Sequence, residues 1–152
     1  QTCALPISVK PPFFVTNLQN PITAFLANNL ASAQLRTRFT LNRIMWNKSR
    51  ITSELVERYS KPQELPGANY SLRQTAISIV PEDIEEIKER YSEIQIPTQI
   101  LWGEHDPVFP CALGHKLHSL LPISSLSIVP ECGHNPHEEN PQMVAGLILD
   151  SE

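Results

Sequence analysis

The chain has 152 residues, of which 41% are apolar and 18% charged, and its formal charge is −4. That is enough for one domain with a real core, without the basic surplus that would point to nucleic acid or an anionic membrane as partner. No run nears the roughly 20 apolar residues that span a bilayer, the amino terminus lacks a signal-peptide pattern, and three cysteines without a Cys-x-x-Cys spacing fit a reducing cytoplasm better than a disulfide framework.

The first residues stand apart from the rest. Gln1-Thr2-Cys3-Ala4-Leu5-Pro6-Ile7 is what a widely used sequencing adapter encodes in one frame, and no initiator Met precedes it. Residues 1–8 are therefore expected to be non-native read-through, with native sequence starting near Ser8. Residues 9–95 read as helical. Pro11 and Pro12 punctuate the entry, and after Pro21 the residues Ile22, Phe25, Leu26, Leu30 and Ala33 form a helical stripe that Leu41, Ile44 and Met45 continue. A further helix is predicted from Thr52, which can cap it while Ile51 packs on Val56, to an end near Ser60 before Lys61-Pro62. Pro66-Gly67 marks a turn, Tyr70 to Ile79 reads as helix, and Pro81-Glu82-Asp83 opens another helix with Ile84, Ile87, Tyr91 and Ile94 on one face.

From Ile96 the pattern changes to strand, helix, strand. Ile-Pro-Thr-Gln-Ile-Leu-Trp-Gly ends in Glu104-His105-Asp106, Ala112, Leu113, Leu117, Leu120 and Leu121 recur at helical spacing, and Leu-Ser-Ile-Val-Pro-Glu-Cys-Gly ends in His134. Such a unit makes two parallel strands about 4.8 Å apart, with both following loops at the carboxyl end where open α/β sheets place ligand sites. An acid and an imidazole thus reach one crevice. A carboxylate beside an imidazole fixes its tautomer and stabilises the imidazolium that forms when the ring takes a proton. Asp106 would orient, and His134 would be the base.

Two motifs here resemble the α/β-hydrolase family. One is Leu101-Trp102-Gly103-Glu104-His105-Asp106 closed by Pro110; the other is Cys132-Gly133-His134-Asn135-Pro136-His137-Glu138-Glu139-Asn140-Pro141. Their order, acid before histidine, also matches that family. The resemblance implies an α/β fold: residues 9–95 as a helical cap over the site, and 96–152 as the last two parallel strands and helices of the sheet. It further implies that Asp106 and His134 are catalytic, that no cofactor is needed, and that the substrate is a small molecule.

The family's nucleophile sits in a Gly-x-nucleophile-x-Gly elbow upstream of both motifs. The five glycines here, at 67, 103, 114, 133 and 146, include no pair four apart. The chain is accordingly expected to be the carboxyl-terminal portion of a hydrolase acting on an ester or related bond, inactive alone. Epoxide hydrolases and haloalkane dehalogenases, with an Asp nucleophile, share the architecture. A non-catalytic relative whose cap binds a ligand or a protein is the rival of another class.

Other residues admit plainer readings. Arg36, Arg38, Arg43, Lys48 and Arg50 could attract anions, but charge runs usually just solvate, so a solvated face balanced by the acidic run Glu82 to Glu93 is the preferred reading. Met45 and Trp46 could line a pocket or simply be core. His134, His137 and Glu138 resemble a metal set, yet Pro136 disfavours the helical presentation that would aim both rings at one ion, so His137 and Glu138 are expected to support the turn or cap the last helix. His115 and His118 are expected to face solvent, His105 to be loop, and Cys132 to be a small buried residue in the turn.

Overall fold

The computed structural model describes residues 13–78 and 81–150; the expectations for 1–8, for Pro11 and Pro12, and for a helix end at Ile79 fall outside them. Six α-helices come first: α1 (Phe13–Gln19), α2 (Pro21–Leu30), α3 (Ala33–Ile44), α4 (Ser53–Ser60), α5 (Ala68–Ile77) and α6 (Ile84–Glu89). Then follow β1 (Thr98–Gly103), α7 (Cys111–Leu120), β2 (Ser124–Val129), α8 (Pro136–Glu139) and α9 (Pro141–Leu149). Short 3-10 turns occupy Lys48–Arg50, Lys61–Glu64 and Arg90–Glu93.

Local chemistry sets several of these boundaries. The Thr52 hydroxyl accepts the Leu55 N–H at 3.1 Å and starts α4, while Ile51 and Val56 share one core cluster, as the sequence predicts. The long stripe expected after Pro21, by contrast, is broken. Asn20 caps α2 by accepting from Ile22 and Thr23, and Ser32 caps α3 by accepting from Leu35, so the chain leaves the helix at Ala31 and starts again. Among the described side chains of α2 only Ala24 is buried; Ile22, Phe25 and Leu30 are 69%, 65% and 79% exposed. That stripe therefore does not pack into the core of the described structure.

Two cores position the site. Leu41, Ile44, Met45, Ile51, Leu55 and Val56 join α3 to α4, and Tyr59 and Val108 pack against them. Val108 lies two residues beyond Asp106, so this helical core touches the acid's loop. The second core is Val129, Cys132 and Val144, with Leu101, Met143 and Leu147 against it. β1 and β2 pair in parallel from Thr98↔Ser124 to Gly103↔Val129. Alternation along a strand turns Leu101 and Val129 to the α9 side and Ile100 and Trp102 to the other, where Trp102 packs on Gly114 of α7. The fold class is α/β, as expected.

Candidate active site

Asp106 is held by the turn that leaves β1. Glu104 N–H donates to Val129 O at 3.0 Å and His105 N–H to Cys132 O at 2.9 Å, which continues the contact between the two segments past the end of the strands. The approach is close: a Cβ at Gly103 would stand 1.9 Å from Gly133 O, so a residue without a side chain is needed there. Beyond it, Asp106 Oδ1 accepts the N–H groups of Val108 and Phe109 at 2.7 and 2.9 Å, and Trp102 Nε1 donates to Phe109 O at 3.0 Å. The loop is thereby folded back over its own strand, with the Asp106 side chain only 6% exposed.

His134 follows the turn after β2, in which Glu131 adopts a positive φ of 53°. Its own N–H donates to Ile44 O at 2.8 Å, at the end of α3. Its Nδ1 lies 2.9 Å from Asp106 Oδ2, and the Phe109 ring stands 5.5 Å away, tilted by 57°. Burial pushes the Asp106 carboxyl up, but the hydrogen bond from His134 and those from the Phe109 and Val108 N–H groups outweigh it and hold the carboxyl below its ordinary range. An acid in that state fixes Nδ1 as the donor, so Nε2 of neutral His134 is an acceptor. Among the described residues no hydrogen bond reaches Nε2, and the side chain is 30% exposed. Such an imidazole can take a proton from a group presented to its outer edge.

Comparison with known proteins identifies the fold family. The family described as alpha/beta hydrolase fold matches residues 12–141, which is most of the chain. The chain belongs to the alpha/beta hydrolase fold family. A 2-hydroxy-6-oxo-6-phenylhexa-2,4-dienoate hydrolase of Burkholderia cepacia is 32% identical over 113 residues, which are 72% of this chain and 38% of that protein. The uncharacterized hydrolase YugF of Bacillus subtilis is 27% identical over 111 residues, 70% of this chain and 38% of its own length. A crystal structure of an alpha/beta hydrolase fold protein from Burkholderia ambifaria superposes with a TM-score of 0.75 at 21% identity, covering 97% of this chain and 53% of that one. The chain thus spans about 38% of the length of these two curated relatives.

The remaining candidate residues differ in what they touch. Glu138 accepts from Arg58 at 2.7 Å and from the Tyr59 hydroxyl at 3.0 Å, and its carbonyl accepts from Arg50 Nε at 3.3 Å, so it ties α8 to α4. Burial, then the hydrogen bond with and the repulsion from Glu138, push the Tyr59 hydroxyl pKa up, with Arg58 partly opposing. His137 is exposed. With Glu138 and His134 engaged elsewhere, no group of three or more His, Cys, Asp or Glu side chains among the described residues could hold a metal ion. Cys132 is buried, and burial followed by repulsion from Glu139 and Glu131 raises its thiol pKa, the opposite of an activated thiol. His115 and His118 lie on the exposed side of α7, where His118 Nδ1 meets the Ser124 hydroxyl at 2.8 Å.

Of the basic run, Arg38, Arg43, Lys48 and Arg50 are exposed, in keeping with a solvated face. Arg36 donates to Ala31 O, Lys48 to Met45 O and Asn42 O, and Arg50 to Glu138 O, while Arg43 sits over the Phe39 ring. Met45 is core at 1% exposure, whereas Trp46 is 53% exposed and stacks on His105 at 3.9 Å between ring centroids. His105 is thus a loop residue with a partner from the helical region. The residue that sequence reasoning passed over is Glu139, which is buried and accepts main-chain N–H groups from Gly133 and Asn47. Its only signal was an acidic pair five residues beyond the Gly-His turn.

Proposed function

We propose that His134 is the general base and acid, and Asp106 its orienting carboxylate, in hydrolysis of an ester or related bond of a small molecule. The observation that carries this reading is the 2.9 Å contact of Nδ1 with Asp106 Oδ2, made while Oδ1 is held by two N–H groups. A nucleophile presented at Nε2 gives its proton to the ring, the imidazolium is stabilised by Asp106, and the proton is then returned to the leaving group. The nucleophile and the oxyanion donors come from residues other than these 152, since no glycine pair here frames an elbow. The helical stretch 9–95 acts as a cap over the site. The name of the Burkholderia cepacia relative supports a carbonyl-containing substrate.

The test is turnover of a nitrophenyl ester. The pure 152-residue protein is expected to show none beyond buffer, and turnover abolished by His134→Ala would reveal a nucleophile within the chain. In a gene product that carries this chain together with a nucleophile-bearing segment, His134→Ala is expected to lower kcat by about 10²–10⁴-fold. Unchanged kcat there would remove His134 from the mechanism.

A further inference from the structure

We propose that Glu139 is the positioning residue of the His134 base, setting where that residue stands through the main chain that leads into it; the proposal rests on the catalytic reading of His134. Glu139 is 6% exposed, and no Lys, Arg or His side chain pairs with it among the described residues. A buried carboxylate without a cation is costly unless each oxygen finds a donor. Here each does. Oε1 accepts the Gly133 N–H at 2.8 Å and Oε2 accepts the Asn47 N–H at 2.7 Å, both in the short range of charge-assisted bonds.

The two donors explain what the carboxylate does. Gly133 is the residue before His134, and Asn47 follows three residues after Ile44, whose carbonyl accepts the N–H of His134 itself at 2.8 Å. Two successive amides of the histidine turn are therefore bound to the same segment, 44–47, one directly and one through Glu139. Fixing the two peptide planes that flank the Gly133 Cα fixes where the Cα of His134 stands, and so whether Nδ1 can meet Asp106. The segments are in near contact at this point, since a Cβ on Gly133 would stand 2.4 Å from Ile44 O and 2.7 Å from Trp46 N. A glutamine cannot replace the acid, because it offers one acceptor oxygen to two N–H donors and turns its amide nitrogen toward the other.

The experiment has two arms. In this chain, NMR of the Nδ1-bound proton of His134, assigned by its loss in His134→Ala, reads the bond to Asp106 without any reference to catalysis. Glu139→Gln, which keeps the volume, is expected to shift and broaden that resonance, and Glu139→Ala to abolish it. Asn20→Ala, which removes the cap of α2, an element that belongs to neither core, is expected to leave it in place. In the gene product that turns over a nitrophenyl ester, Glu139→Gln is expected to lower kcat roughly tenfold or more with KM nearly unchanged, because misplacing a reacting group by about 1 Å costs on the order of 10²-fold. An unaltered His134 resonance in Glu139→Gln, or the same alteration in Asn20→Ala, would overturn the proposal. Full turnover in His134→Ala would instead overturn the catalytic reading, and the resonance would still decide the role of Glu139.

Discussion

At the scale of the residue, Asp106 shows how a carboxylate is prepared for one task. Its first oxygen is used by two N–H groups of its own loop, which leaves the second to meet His134 in one orientation. Burial raises its pKa, but the donors prevail, so the folded value lies below that of the unfolded chain. Below about pH 4, where a free Asp titrates, the unfolded chain binds more protons than the folded one. The stability contributed by Asp106 is therefore fully present above the unfolded value and is lost as pH falls through the depressed folded value. Asp106→Asn is expected to lower the urea midpoint at pH 7 and to converge on the parent as the pH drops below about 4. A difference between the two that stays constant down to pH 2 would contradict this account of Asp106.

At the scale of the element, the end of β1 and the turn after β2 behave as one piece. Hydrogen bonds from Glu104 and His105 continue the pairing beyond Gly103↔Val129, and Gly103 lets Gly133 O approach. A methyl group at Gly103 would meet backbone, which cannot rotate away. Gly103→Ala is expected to destabilise the protein by roughly 1–3 kcal/mol and to displace the Gly133-His134 turn, as overpacking does in well-packed sites. Urea unfolding measures the first effect, and loss of the His134 Nδ1 resonance measures the second. The helices offer a contrasting case, because α4 depends on a cap rather than on close approach. Thr52→Ala removes the acceptor of the Leu55 N–H and is expected to cost about 1 kcal/mol, read by the same unfolding measurement.

At the scale of the whole molecule, the helical region and the strand unit meet at the base. Ile44 O holds the His134 N–H, Glu139 joins Gly133 to Asn47, Glu138 joins α8 to Arg58 and Tyr59, and Val108 packs into the α3 and α4 core. Damage to that core should therefore reach the site. Leu41 is 2% exposed, and Leu41→Ala is expected to cost about 2–5 kcal/mol. Hydrogen exchange should then quicken together at the amides of Met45 and His134, which bond to Leu41 O and Ile44 O. Protection at His134 that persists while Met45 opens would show that the two units unfold independently.

What the sequence determined by itself is what neighbours along the chain decide. The start of α4 at Thr52, its end at Ser60, the two short strands and the delivery of Asp106 and His134 to adjacent loops all follow from caps, periodicity and crossover geometry. Each depends on residues within a few turns or within one strand-helix-strand unit. The stripe on α2 was legible as helix, but its exposure was not, because periodicity marks a face without naming what covers it. Glu139 was likewise legible as an acid beside the histidine motif. Only the tertiary structure brought it the Asn47 N–H from 92 residues away, and so turned a residue type that normally seeks water into a buried link between the helices and the base. The stacking of Trp46 on His105 has the same origin, since neither ring can select the other until the fold brings the end of α3 beside the loop after β1.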